Sequence, residues 1–134
     1  MKKDLISNLL TKLRNASKVF HKFVDIEYSK INEEILKLLE KEGYVQNYEI
    51  KSSREITVEL RYNGWWTKSS FFSKIIRISK PGRKIYSSYK DFNKKVKGLN
   101  FEQGIIILST SSGLMTHIKA KELKKGGEIL FYIS

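Results

Sequence analysis

No cysteine occurs in the 134 residues, which excludes disulfide bonds and thiolate metal sites and argues against a secreted, disulfide-stapled domain. Histidine is almost as scarce. His21 and His117 alone do not make a structural zinc site, so no metal is expected. There is one proline, Pro81, and no run of the roughly 18 to 20 apolar residues that a membrane-spanning helix requires. The opening "MKKDLISNLL" interrupts its apolar positions with Asp4 and Asn8, unlike a signal peptide, so the chain is expected to be soluble and made where it works.

What the sequence has in excess is positive charge. Its 26 Lys+Arg stand against 14 Asp+Glu, a formal net charge of +12 and a pI of about 9.8. Residues 1–67 hold 12 basic and 10 acidic side chains, whereas residues 68–134 hold 14 and 4. A polyanionic partner is implied, nucleic acid or an acidic membrane surface, and the second half is the side expected to face it. Lysines outnumber arginines 21 to 5, and Ile, Asn and Ser are plentiful, a composition typical of an AT-rich genome.

Periodicity predicts an α/β (α+β) protein of two small modules, residues 1–66 in the order α-β-α-β-β and residues 67–134 mainly β with short helices. Leu5, Ile6, Leu9, Leu10 and Leu13 mark a first helix with Asp4 as N-cap. "VDIEY" alternates as a strand does. Ser29 opens a second helix with Ile31, Ile35, Leu38 and Leu39 on one face and Gly43 as its stop. A hairpin follows over residues 44–62. Beyond the Asn63-Gly64 turn, Trp65-Trp66 and Phe71-Phe72 are read as packing or partner-contact residues. The second module is expected to run through "IIRIS", a Lys80-Pro81-Gly82 turn, a short helix on Phe92, Val96 and Leu99, and the buried strand "GIIILS". A basic helix capped by Thr116 and broken by Gly126-Gly127 then leads to a last strand, "EILFYIS".

The stretch "LSTSSGLMT" is neutral and hydroxyl-rich inside a basic half. It lacks the first glycine of a nucleophile elbow, since Ser109 stands there, and the Gly-Lys-Ser/Thr ending of a phosphate loop, so neither acyl transfer nor nucleotide hydrolysis is supported. Glu33, Glu34, Glu40 and Glu42 read as a solvated helix face rather than paired catalytic carboxylates. The chain is not expected to be an enzyme. Serine and threonine hydroxyls both donate and accept, so the loop suits base edges and ribose 2′-hydroxyls of RNA; taken alone, it reads equally as a cap for the next helix. In "ISKPGRKIY" a Pro-Gly turn carries Lys80, Arg83 and Lys84 outward beside Tyr86, a ring on which a base can stack; a surface hairpin with a half-buried tyrosine is the plainer alternative. The first helix presents Lys3, Thr11, Lys12, Arg14 and Asn15 on a polar, basic side.

Three pieces together, "ILSTSSGLMT…KAKELKKGGEILFYIS", "RISKPGRKIY" and "DLISNLLTKLRNA", resemble ribosomal small-subunit protein eight of the bacterial and organellar type, in order across nearly the whole chain. The resemblance implies a non-enzymatic component of the small ribosomal subunit, without cofactor, that binds the central domain of small-subunit rRNA early in assembly. It would act as one copy beside neighbouring ribosomal proteins, not as a homo-oligomer. By resemblance the RNA-contacting residues are Ser109, Thr110, Ser111 and Gly113 of the hydroxyl loop and Lys80, Pro81, Gly82, Arg83 and Tyr86 of the Pro-Gly motif. Asp4, Ser7, Thr11, Arg14 and Asn15 of the first helix, with Ser29 and Lys30, complete the set. Ser112 replaces a usually basic residue and His117 a usual Asp; Lys119 and Lys121 are expected to restore the charge. A regulatory messenger RNA that mimics the ribosomal site is the alternative partner. The composition points to a plastid ribosome, with a mitochondrion or an AT-rich bacterium as alternatives.

Overall fold

The computed structural model describes residues 4–63, 69–70, 74–96, 98–99, 101 and 103–134. Its contacts divide the chain into unit 1, Met1–Ser73, and unit 2, Lys74–Ser134, each combining helices with antiparallel strands in an α+β fold. The expected boundary between residues 66 and 67, Lys3, and the Trp65-Trp66 and Phe71-Phe72 pairs lie outside the described residues.

In unit 1, α1 (Leu5–Lys18) starts where the Asp4 side chain accepts from the Ser7 backbone N–H at 3.1 Å, satisfying one orphan donor of the first turn. It buries Leu9, Leu10, Leu13 and Ala16, with Leu5 and Ile6 half-buried at the end of the stripe. Strand β1 (Phe23–Glu27) leads to α2 (Lys30–Lys41), whose N-cap is Ser29, accepting from Asn32 N–H at 3.1 Å. Strands β2 (Val45–Ile50) and β3 (Glu55–Leu60) form the expected hairpin, and β3 lies between β1 and β2 in an antiparallel sheet. Alternate residues Ile56, Val58 and Leu60 are buried, as the period-2 pattern requires. Short strands β4 (Tyr62–Asn63) and β5 (Ser69–Ser70) pair with each other.

The inward face of α2 differs from expectation. Asn32, Ile35, Leu36 and Leu39 are buried, while Ile31 and Leu38 are half-buried. The cause is polar: the Asn32 amide reaches inside and donates to the Glu27 backbone carbonyl at 2.9 Å, rotating the stripe off the all-apolar face.

Unit 2 comprises β6 (Ile75–Arg77), β7 (Tyr86–Ser87), α3 (Phe92–Lys95), β8 (Ile105–Thr110), β9 (Gly113–Thr116), α4 (His117–Glu122) and β10 (Gly127–Ile133). Its sheet has the order β6-β10-β8-β9, with β7 also on β10. The near-continuous apolar runs of β8 and β10 make the buried middle of that sheet, and Ile106, Leu108, Ile129 and Tyr132 pack with Phe92, Val96, Met115 and Ala120. Two expectations fail. Helix α3 is a single turn that ends at Lys95, so Val96 and Leu99 pack against the core from beyond the helix. The hydroxyl stretch is not an open loop either: its first and last residues are strand, and only Ser111 and Ser112 turn.

Helices α1, α2 and α4 all end on a left-handed residue whose N–H, with that of the next residue, reaches back into the last turn. At α2 this is Gly43, as expected; at α1 it is Phe20 (φ 59°) and at α4 Lys124 (φ 56°). Lys124 N–H donates to Lys121 O at 3.1 Å and Lys125 N–H to Ala120 O at 2.9 Å, so α4 stops before Gly126-Gly127. A non-glycine residue in this region is held against roughly 1 to 2 kcal/mol of Cβ crowding. Lys124→Gly is therefore expected to raise the stability by about 1 kcal/mol, visible as a higher urea midpoint with an unchanged m-value.

Candidate nucleic-acid interface

The Pro-Gly motif is a two-residue hairpin. Lys80 N–H donates to Arg83 O at 3.0 Å, and Arg83 N–H donates to Lys80 O at 2.9 Å. The buried Ser79 hydroxyl accepts from Ile85 N–H at 2.9 Å and pins the base of the turn. Lys80, Pro81, Gly82, Arg83 and Lys84 are all exposed, and Tyr86 beyond them is 58% exposed.

Strand register brings this motif to the hydroxyl stretch. Glu128 on β10 pairs with Tyr86 on β7 and with Ser109 on β8, and Ser109 pairs in turn with Leu114 on β9. Residues directly opposite in antiparallel strands point to one face, so Tyr86, Glu128, Ser109 and Leu114 form a row across four strands. Tyr86 and Ser109 are about 10 Å apart along it, two inter-strand spacings. Their neighbours Leu108, Ile129 and Met115 belong to the core, which leaves the row on the opposite face of the sheet.

The hydroxyls divide into two kinds. Thr110 Oγ1 donates to Gly113 O at 2.9 Å and accepts from Ser112 N–H at 3.1 Å, closing the turn. Thr116 Oγ1 caps α4 by accepting from Lys119 N–H at 3.3 Å. Both are engaged in the fold. Ser111 Oγ accepts from the Lys125 ammonium at 3.4 Å, and the Ser109 and Ser112 side chains make no hydrogen bond among the described residues. Gly113 allows the turn with φ +105°. The threonines thus hold the structure, as the capping reading expects, while Ser109 is half-buried and Ser111 and Ser112 are exposed.

Lys119 and Lys121, expected to supply charge beside the stretch, do not share a face, because residues two positions apart on a helix project about 200° from each other. Lys119 pairs with Glu122 at 3.6 Å. The cation that does reach the turn is Lys125, which sequence reasoning passed over; the chain reversal at Lys124 aims it there. His117 is not a surface substitute for a carboxylate. It is 4% exposed, its Nδ1 accepts from Ile106 N–H at 3.1 Å, and burial, then the Lys121 charge, lower its pKa from 6.5 to about 4.

The remaining predicted residues are in unit 1. Asp4 caps α1, and Ser7 Oγ donates to its second carboxylate oxygen at 2.7 Å. Ser29 caps α2. Thr11, Asn15 and Lys30 are exposed and Arg14 is half-buried. Thr11 lines a cavity together with Asn8, Lys12 and Asn32, so α1 and the start of α2 meet there. Among the described residues no group of three His, Cys, Asp or Glu is placed to hold a metal, and no helix is long and apolar enough to cross a membrane.

Comparison with known proteins gives a consistent result. A family model described as Ribosomal protein S8 matches residues 4–134. The chain is 41% identical over 133 residues to small ribosomal subunit protein uS8c of Trieres chinensis, covering 97% of both chains. It is 43% identical over 130 residues to small ribosomal subunit protein uS8 of Wolbachia pipientis subsp. Culex pipiens, covering 95% of this chain and 94% of the relative. Against uS8c of Phaeodactylum tricornutum the identity is 42% over 136 residues, 99% of each chain.

Proposed function

From the premise that the chain belongs to the ribosomal protein S8 family, whose members are structural and non-enzymatic, we propose that it binds the central domain of small-subunit rRNA directly and early in assembly. The observation that carries this reading is the row Tyr86, Glu128, Ser109 at the foot of the cationic Pro-Gly hairpin. Glu128 repels phosphate, so the row meets base edges and ribose hydroxyls, with Tyr86 as a stacking surface and Ser109 as a neutral donor and acceptor. Lys80, Arg83, Lys84 and Lys125 at its margins take the phosphates, and counterion release there sets affinity and salt dependence. The neighbouring ribosomal proteins complete its surroundings in the subunit.

Thr110 leaves the set of reading groups, because its hydroxyl closes the turn, and Ser109 and Ser111 remain. Replacing both serines by alanine should weaken binding to an irregular central-domain helix roughly tenfold, at about 1 kcal/mol or less per lost hydrogen bond, and leave a plain duplex unaffected. The salt slope should not change. Lys80→Ala with Arg83→Ala should weaken both RNAs and flatten the slope by about 2. A filter-binding titration across salt concentrations measures all four; equal weakening of both RNAs by the serine changes would refute readout by the row.

We place the ribosome in a plastid. The lysine- and isoleucine-rich composition supports this, as does the similarity to two uS8c proteins, although bacterial relatives match equally well. A tagged copy should sediment with plastid small subunits, and recovery only with mitochondrial or bacterial subunits would overturn the placement.

A further inference from the structure

At the C-terminal end of α1 the six consecutive residues Lys18, Val19, Phe20, His21, Lys22 and Phe23 are all exposed, and none of them is acidic. Three are large and apolar, with Val19 59%, Phe20 48% and Phe23 54% exposed. Phe20 is unfavourable there twice over. Its φ of 59° is a conformation that suits glycine or asparagine and is an outlier for a bulky residue, and nearly half of the side chain is left to water. A helix stop alone needs neither the ring nor its exposure, and backbone outliers of this kind gather at functional sites. The backbone around Phe20 is held in place: Phe20 N–H donates to Ser17 O at 3.2 Å, His21 N–H to Ala16 O at 3.0 Å and Leu60 N–H to Lys22 O at 2.8 Å. The Tyr62 hydroxyl donates to His21 O, and its ring meets that of Phe20 with centroids 5.9 Å apart. Phe20 is thus a fixed aromatic surface presented among cations.

We propose that Phe20 is a stacking platform for one unpaired base of the bound RNA, with Lys18 and Lys22 taking the adjoining phosphates. Every base has a π-face, so an exposed ring flanked by cations suits single-stranded nucleic acid, and that charge complementarity separates this patch from a plain apolar one. The surroundings also give the strand a direction. Thr11, Arg14, Asn15 and Lys18 recur at the i, i+3, i+4, i+7 spacing of one helix face, a polar and cationic track of about 10 Å that ends two residues before Phe20. On the other side Phe23 lies directly opposite Glu59, and Asp25 and Glu55 share that outward face of the sheet, alternating with buried Ile26, Ile56 and Val58. Those carboxylates repel phosphate, so the strand runs back along α1 and not across the sheet. The inference rests on the RNA-binding reading for the source of the base, and it adds a contact that belongs to unit 1 alone.

The test follows the full chain by NMR with two probes that carry the same phosphates, an adenosine hexaribonucleotide and an abasic hexamer of equal length. The amides of Val19, Phe20, His21, Lys22 and Phe23 report this patch and not the basic surface of unit 2. They should shift saturably with the adenosine hexamer, at a Kd of about 10⁻⁴ M or tighter, and the abasic hexamer should bind there about tenfold more weakly. Phe20→Leu keeps apolar bulk at the position and removes the ring, whereas Phe20→Tyr keeps the ring; circular dichroism and the urea midpoint should match wild type in both. Phe20→Leu should weaken the hexamer response about tenfold, and Phe20→Tyr by less than about twofold. A protein docking on an apolar patch would accept Phe20→Leu, so equal binding by the two variants, equal response to the two probes, or silence of the five amides would each overturn the platform whether or not the protein binds rRNA. Phe20→Leu should also weaken a central-domain rRNA fragment about tenfold. If its hexamer response is lost and its affinity for the fragment is unchanged, the assignment of the base to rRNA is wrong; if wild-type protein binds the hexamer through Phe20 and does not bind the fragment, the platform stands and the central-domain reading fails.

Discussion

Gly127→Ala is expected to destabilise the protein by about 3 kcal/mol, at the upper end of what a single added methyl costs in a close-packed interior. A Cβ at Gly127 would lie 2.2 Å from the Ser109 backbone oxygen and 3.0 Å from its carbonyl carbon. One at Gly126 would lie 2.3 Å from the Ser87 oxygen. Those atoms are backbone, so no rotamer change relieves the contact; either β10 separates from β7 and β8, or the pairs Gly127↔Ser87 and Glu128↔Ser109 break. The same shift would misalign the row that runs from Tyr86 to Ser109, and RNA affinity should fall with stability. Gly82 is the control, since a Cβ there would meet nothing within 4 Å and its φ is not positive; Gly82→Ala should change stability by less than about 0.5 kcal/mol. Urea midpoints of the two variants decide the matter. Equal values would mean that β7, β8 and β10 are not held together as closely as the sheet requires.

Much of the fold was legible in the sequence because it follows from local periods. The 3.6-residue stripe of α1, the alternation in β3 and the unbroken apolar runs of β8 and β10 each declare their own element, and Asp4, Ser29 and Thr116 declare the helix starts. What stayed hidden depends on contacts distant in the chain. Gly126-Gly127 reads as a helix breaker, yet α4 has already ended on Lys124, and the glycines serve close approach of β10 to β7 and β8. Strand β9 is four residues long, too short for a period to emerge, and its hydroxyl-rich approach disguised a hairpin as a loop.

The candidate site was legible as a set of residues and not as an arrangement. Nothing local says that Tyr86 and Ser109 flank one carboxylate, because that follows from the register of β10 against two strands far apart in sequence. Nor does composition separate Thr110, which closes a turn, from Ser109, which does not. Lys125 was missed because its neighbours Lys119, Lys121 and Lys124 are chemically the same, and only the left-handed reversal at Lys124 selects the one that reaches Ser111. Asn32 gave the opposite signal: a polar residue on an apolar helix is normally placed outward, and here it is inside.

Acid should loosen this module through one residue. β9 ends at Thr116, opposite Ile107, so the N–H of Ile106 lies beyond the last pair of the β8–β9 ladder, and the His117 imidazole accepts it in place of a strand. An accepting Nδ1 is unprotonated, which puts the proton of the neutral ring on Nε2. Protonating Nδ1 would set two donors against each other in a buried place beside Lys121, and the pKa accordingly falls to about 4 from the 6.5 of an unfolded chain. Between those values the unfolded state binds more protons than the folded state, so stability is full above pH 6.5, declines as the pH falls from 6.5 towards 4, and levels off below 4. The loss attributable to this residue is about 3 kcal/mol at pH 4, since each pKa unit corresponds to about 1.4 kcal/mol. His117→Asn keeps an acceptor near Ile106 N–H and removes the titration. Its urea midpoint should therefore fall less than the wild-type midpoint between pH 7.5 and pH 4, with the carboxylates common to both cancelling in the comparison. Parallel decline of the two proteins would show that the Ile106–His117 hydrogen bond does not control the acid response. The expected divergence would tie the start of β8 and the end of β9 to the protonation of a single buried ring.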